Sequence, residues 1–101
     1  MVQKIKWTIR ALNDLHDIYE FIAKDSMRYA QVQVEGIQNA ALNLTNFPLI
    51  GLIVPEFPLL SYREILICNY RVIYRFEEEQ GLIIIMAVAH GRQLLKISHL
   101  R

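Results

Sequence analysis

The sequence predicts an α+β domain in which an antiparallel two-helix hairpin packs on one face of a small, mostly antiparallel sheet. Three observations predict this class. Residues 8–46 carry apolar side chains at helical spacing in two runs with a short polar link between them. Residues 62–89 contain three β-rich segments separated by tight turns. A short alternating segment at about 2–7 adds an N-terminal strand.

The two helices are expected at about 8–24 and 26–46. Asp25 and Ser26 end the first helix and offer an N-cap for the second. Pro48 ends the second helix, because the residue before a proline avoids the helical region. The apolar stripes are Ala11, Leu12, Leu15, Ile18, Tyr19 and Ile22, and then Met27, Ala30, Val34, Ile37, Ala41 and Leu44. With so short a link, both stripes should face the sheet together.

Three strands are expected at about 62–67, 70–76 and 82–89. A trial register that pairs Ile67 with Tyr70 and Phe76 with Leu82 gives the sheet two different faces. The face beneath the helices then carries Ile65, Ile67, Tyr70, Val72, Tyr74, Ile84, Met86 and Val88. The opposite face, which we expect to be open, carries Glu64, Leu66, Arg71, Ile73, Arg75, Ile83 and Ile85.

Two segments outside these elements are expected to contact other molecules. Residues 49–61 form a loop that is unusually apolar, so part of it should cover the core and part should meet a partner or a second copy of the chain. The tail at 90–101 is basic, with Arg92, Lys96, His99 and Arg101 and no acidic residue. It is predicted to form a final helical turn or to become ordered with a partner.

The composition limits the classes of function that the chain is expected to have. At 101 residues the chain is expected to form one domain, and its net charge of +1 gives no strong attraction to nucleic acid or membrane. The single Cys68 excludes an internal disulfide, and with no apolar signal segment at the start this favours the cytoplasm. No stretch reads as a membrane span. No Cys–His spacing suits a metal and no glycine-rich loop suits a phosphate, so no metal or cofactor is expected.

Several motifs together resemble one family. They are the helical hairpin, Phe47-Pro48-x-x-Gly51, Tyr62-Arg63-Glu64-Ile65, the run from Asn69-Tyr70-Arg71 to Tyr74-Arg75, and His90-Gly91-Arg92. This combination resembles the RelE/ParE superfamily, the toxins of bacterial type II toxin–antitoxin pairs and plasmid stabilisation systems. The resemblance implies a small cytoplasmic toxin that inhibits growth and is neutralised by a cognate antitoxin. RelE-type members cut mRNA on the ribosome, whereas ParE-type members poison DNA gyrase.

The RNA-cutting alternative needs a base, an acid and fixed cations around the phosphate. Arg71 and Arg75 on one strand face suit the phosphate, His90 could titrate near neutral pH, and Glu56 could act as a base. A structural interpretation stands beside each role. Glu64 could pair with both arginines, His90 could cap its strand, and Glu56 could be a solvated loop carboxylate.

The ParE-like alternative is favoured by what the chain lacks. Residues 36–61 contain no Lys or Arg, and no tyrosine lies near the C-terminus, whereas several nucleases of the group carry both features. A net charge of +1 also gives little counterion release on a ribosome. The favoured prediction is therefore a gyrase inhibitor, which is no enzyme. A third alternative is an inactive homologue that only binds its antitoxin. The expected assembly is a homodimer or a toxin–antitoxin hetero-oligomer.

The antitoxin is expected to dock on the open sheet face. Isoleucines beside arginines there suit a segment that carries acidic and apolar residues. The expected contact residues are Arg63, Glu64, Arg71, Ile73, Arg75, Ile83, Ile85 and Arg92.

Overall fold

A five-stranded sheet and a helical hairpin make up the computed structural model, which describes residues 3–100. The elements are β1 (Lys4–Trp7), α1 (Ile9–Ala23), α2 (Met27–Asn43), β2 (Leu52–Ile53), β3 (Tyr62–Ile67), β4 (Tyr70–Glu77) and β5 (Leu82–His90). The sheet order is β1-β5-β4-β3-β2, and β1 runs parallel to β5 while the other pairs are antiparallel. The predicted α+β class is confirmed. Val2 and Arg101, where the predicted first strand began and the tail ended, lie outside the described residues.

Both helices begin at hydroxyl caps. The Thr8 hydroxyl accepts a hydrogen bond from the Ala11 N–H at 3.0 Å, and the Ser26 hydroxyl accepts one from the Tyr29 N–H at 3.1 Å. The buried side of the hairpin consists of Ala11, Leu15, Ala30, Ile37, Ala41 and Leu44. Leu12 and Met27 were expected on that side but are 50% and 67% exposed. The apolar stripes of the two helices are wider than the strip that the sheet covers, so these two residues remain in contact with solvent. No helix within residues 3–100 has the length and apolarity to span a membrane.

The register between β4 and β5 contains a bulge. Ile67 pairs with Tyr70 as predicted, but Phe76 pairs with Ile83 and not with Leu82, so that part of the trial register is wrong. The register shifts again at Tyr74, leaving Met86 as an extra residue on β5.

The one-residue shift at the turn, where Phe76 pairs with Ile83, determines which isoleucines face the helices. Ile83 and Ile85 pack in the core beneath α1 and α2, whereas Ile84 and Met86 belong to the opposite side, the reverse of the prediction. The N-cap residue of α1 and a residue within that helix form hydrogen bonds with backbone groups near the bulge. The Thr8 hydroxyl donates to the Met86 carbonyl at 3.1 Å, and Asp14 accepts from the Val88 N–H at 3.0 Å.

The sheet face away from the helices is closed, not open as predicted. A second apolar cluster covers it, made of Val54, Ile73, Met86, Ala87, Ala89, Leu95 and Leu100, with Phe57, Tyr62 and Ile84 against it. The loop after β2 and the C-terminal tail supply the cover. The tail ends in a single 3₁₀ turn at Ile97–Leu100, and the Tyr62 hydroxyl donates to the Leu100 carbonyl at 3.3 Å. Val54 of the loop and Leu95 and Leu100 of the tail are buried here within one chain.

Candidate functional site

A buried arginine near the start of β4 lies on the closed face. Arg71 is 4% exposed, and its guanidinium donates to both carboxylate oxygens of Glu56 at 2.7 Å each. Its Nε donates to Glu64 at 2.9 Å, its Nη2 also bonds Glu64, and its Nη1 donates to the Gln93 carbonyl at 2.9 Å. A guanidinium has five N–H donors, and these five bonds use all of them.

This cluster joins three parts of the chain. Arg71 lies on β4 and Glu64 on the neighbouring β3, while Glu56 belongs to the loop after β2 and Gln93 to the tail. Glu56 also accepts a hydrogen bond from the Leu95 N–H at 2.9 Å. The cluster therefore fastens both covering segments to the sheet, and it does so where an open surface was expected.

The cluster perturbs the titration of its members. Hydrogen bonds from Arg71 lower the pKa of Glu56 from 4.5 to about 2; the Leu95 N–H adds to this effect, and burial opposes it. The bonds to Glu56 and Glu64 also raise the pKa of Arg71 above its ordinary value, against burial. Two carboxylates surround one guanidinium, so the cluster carries a formal net charge of −1.

A cavity of about 390 Å³ lies beside the cluster. Glu56, Glu64 and Arg71 line it together with Leu66, Arg92 and Leu94. Of these residues, Arg92 is an exposed cation, while Arg71 is already neutralised. A phosphate group that enters the cavity is repelled by the carboxylates of Glu56 and Glu64, which also occupy the hydrogen-bond donors of Arg71.

His90 lies on the other side of the sheet from Arg71. Arg71 is paired with Ala89, and the next residue along β5 points its side chain to the opposite face. There the His90 ring contacts Tyr70 edge-on, with ring centroids 5.9 Å apart, and its Nδ1 accepts from the Arg92 N–H at 3.3 Å. The structure thus brings Glu56 to Arg71 but does not bring His90 to either.

Arg75 is separate from the cluster as well. Ile73 lies between Arg71 and Arg75 on the same face, which puts their Cα atoms about 13 Å apart at the usual rise per residue. The Arg75 Nε lies 2.7 Å from a Glu77 carboxylate oxygen, and both side chains are more than a third exposed. Of the two pairs expected for Glu64, the one with Arg71 is confirmed, and Arg75 pairs with Glu77 in place of the other.

Two further expectations need correction. Glu56 is no solvated loop carboxylate, since its side chain is 15% exposed and paired with Arg71. Ile73, Ile83 and Ile85 are fully buried inside the chain, so they do not form the expected open docking surface. The reachable charged members of that set are Arg75 and Arg92, with Arg63 half-buried and donating to the Gly51 carbonyl at 2.7 Å.

An exposed apolar surface follows the edge of the sheet. Its most exposed members are Leu49, Ile50, Leu52, Leu59 and Leu66, each at least 59% exposed. The apolar composition of 49–61 indicated such a surface, but the short strand β2 within it was not predicted. Among residues 3–100, no group of three or more His, Cys, Asp or Glu side chains is arranged to hold a metal ion.

Solved structures share this fold. The toxin–antitoxin complex RelBE2 from Mycobacterium tuberculosis is 22% identical, with 89% of this chain and 99% of that chain covered and a TM-score of 0.68. The chromosomal ParDE system from P. aeruginosa is 18% identical, with 88% and 96% covered and a TM-score of 0.74. A mutant of the E. coli toxin RelE in the free state is 16% identical, with 91% and 86% covered and a TM-score of 0.65.

These low identities establish the fold alone. No curated protein sequence matches the chain. The family model described as the ParE toxin of the type II toxin–antitoxin system parDE matches residues 5–95, which is most of the sequence. The chain therefore belongs to the ParE toxin family of type II toxin–antitoxin systems.

Proposed function

We propose that this toxin acts in the cytoplasm by inhibiting DNA gyrase through protein contacts, and that a cognate antitoxin neutralises it. The observation that carries the proposal is the state of Arg71, whose five donors are all occupied by Glu56, Glu64 and Gln93. A toxin that works by binding a protein needs no free phosphate-binding cation.

The same observation argues against RNA cleavage at this site. A nuclease must offer donors to the charge that develops on the phosphate, together with a proton donor and acceptor beside it. Here the Arg71 donors are taken by two adjacent carboxylates, and His90 projects from the opposite face of the sheet. A match to the ParE family model agrees with this interpretation.

The antitoxin contact is proposed at the exposed sheet edge. A cavity of about 250 Å³ there is lined by Arg63 among Leu49, Ile53 and Leu60, with Glu78 also on its wall. An antitoxin segment with apolar side chains and an acidic residue fits this mixture of chemistry. The solved RelBE2 complex and the ParDE system are toxin–antitoxin assemblies of the same fold, which supports an antitoxin partner for this chain.

Two assays run side by side test the target. We expect the purified protein to block supercoiling by DNA gyrase and to leave mRNA intact on translating ribosomes. His90→Ala should retain the gyrase effect, because His90 is exposed and inhibition through protein contacts needs no acid or base. Defined mRNA cuts that disappear in His90→Ala would overturn the proposal in favour of a nuclease.

The nuclease remains the second candidate because one observation favours it. Arg71 and Glu56, two of the expected catalytic residues, lie together in a cavity on the face opposite the helices. If the chain is instead an inactive homologue, induced expression without the antitoxin leaves growth unchanged and neither assay responds. Growth arrest on induction separates both active candidates from that outcome.

A further inference from the structure

A second cavity of about 280 Å³ lies between α1 and the end of β5. Asp14, Asp17, Ile18 and Phe21 line one side, and their spacing places them on one face of the helix. Tyr70, Val88 and His90 are among the residues on the other side. This cavity is on the helix side of the sheet, away from the exposed edge. Gln93, whose carbonyl accepts from Arg71, lines it as well, so the two cavities share this residue.

The acidic side chain that remains free in this cavity gives it a negative charge. Asp14 is committed to the fold, since it accepts from the Val88 N–H and lies 3.4 Å from the Arg10 Nε. Asp17 is exposed, and no cation pairs with it within residues 3–100. No Lys or Arg lines the cavity.

Aromatic surface accompanies the carboxylates. Phe21 is 70% exposed although it is a large apolar residue, and it lies four residues after Asp17 on the same face of α1. Tyr70 and His90 stand edge to face on the other wall. A carboxylate next to accessible aromatic rings attracts a cation that is also flat and weakly hydrated.

We propose that this cavity binds an arginine side chain presented by a protein partner. The planar guanidinium stacks on an aromatic ring while it donates two hydrogen bonds to the Asp17 carboxylate. A lysine ammonium is a compact, strongly hydrated charge, so it gains the ion pair but little of the stacking. Burial of Phe21 under the arginine stem then removes the exposed apolar surface from water.

The proposal is tested by titrating the full-length protein with two short peptides and following its amide NMR signals. One peptide carries a single arginine, and the other carries citrulline, which has nearly the same shape without the charge. We expect saturable shifts around Ile18, Phe21, Val88 and His90 with the arginine peptide, and binding at least about tenfold weaker with citrulline, as a charge-assisted pair requires.

Matched substitutions locate the contact. Asp17→Asn should abolish the arginine-dependent shifts while the rest of the spectrum stays in place, since the side chain is exposed. Asp25→Asn removes an exposed carboxylate just beyond α1, outside the cavity, and should bind the peptide normally. Absence of shifts with arginine, equal shifts with both peptides, or unchanged binding by Asp17→Asn would overturn the proposal. None of these readouts depends on gyrase or on the antitoxin.

Discussion

Arg71 and Glu56 form a two-pronged ion pair, with both carboxylate oxygens accepting from the guanidinium at 2.7 Å. The two residues come from the central strand β4 and from the loop after β2. Because Glu56 also holds the Leu95 N–H, this single pair connects the sheet, the loop and the tail. The closed face should therefore depend on it, and the first predictions test that dependence.

Glu56→Gln should lower the free energy of unfolding by about 2 kcal/mol, the usual scale for a hydrogen bond to a charged group. The oxygen of the glutamine side chain still accepts one hydrogen bond from Arg71. Its NH₂ group, however, lies where Arg71 needs a second acceptor. Urea denaturation followed by circular dichroism measures the change. Glu79→Gln, at an exposed position in the turn before β5, is the matched control and should be neutral. A similar loss in both variants would show that the ion pair has no special role.

The pair should also make stability depend on pH in a defined window. The pKa of Glu56 is about 2 in the folded chain, below its ordinary value of 4.5, so the unfolded chain binds the proton more readily. The stability from this group is fully present above about pH 4.5 and is lost as the pH falls toward 2. Unfolding free energies across this window should fall less steeply for Glu56→Gln than for the unmodified protein. Parallel slopes would contradict the prediction.

The sequence predicts β4 well and β5 poorly, for a physical reason. On β4, arginines alternate with aromatic and apolar residues, so the two faces are marked. On β5, the run 82–89 is apolar throughout, and nothing in it marks which residues face the helices. The bulge at Met86 then changes the parity of the strand. Ile83 and Ile85 were misplaced because the side-chain pattern does not encode the one-residue shift at the turn, where Phe76 pairs with Ile83. The bulge beyond them returns Val88 to the helix side, as predicted.

The candidate site was likewise predictable only in part. Glu64 and Arg71 lie on adjacent strands, so strand pairing alone places them diagonally and predicts their ion pair. Glu56 reaches the same guanidinium from a loop, whose path has no periodicity to extrapolate. The tail was predicted to form a final helical turn or to be ordered by a partner, and it does form a turn at Ile97–Leu100. That Leu95 and Leu100 cover the sheet was not predicted, because a short amphipathic segment does not indicate what it packs against. Contacts between loops and sheet faces depend on tertiary structure.

Tyr74→Phe should destabilise the protein by about 1–3 kcal/mol, since it leaves buried polar groups without partners. The Tyr74 hydroxyl donates to the Pro48 carbonyl at 2.7 Å and accepts from the Gly51 N–H at 2.9 Å. Its side chain is fully buried, and burial raises its pKa. Thermal denaturation measures the loss. Tyr29→Phe removes a hydroxyl from a side chain on a residue that is 55% exposed and should leave the melting temperature unchanged.

Gly51→Ala should destabilise the protein by about 1–3 kcal/mol through overpacking. A Cβ at this position lies 2.6 Å from the Tyr74 hydroxyl and 2.8 Å from the Glu64 carbonyl oxygen, which is backbone and cannot rotate away. The added methyl must push the turn off Tyr74 or distort β3. The prediction is checked by chemical denaturation, and an unchanged midpoint would show that the turn relaxes freely.

Gly36→Ala should have the opposite sign, although it makes the same chemical change. Gly36 lies inside α2, and a Cβ there meets no atom within 4 Å, so the methyl group costs no packing strain. It restricts the unfolded chain and favours the helix, which should stabilise the protein by about 0.5–1 kcal/mol. For a domain of this size that is a rise of about 2–5 °C in Tm, measurable by calorimetry. Loss of stability on this substitution would contradict the open space at Gly36, whereas a gain beside the loss at Gly51→Ala would support the structure at both glycines.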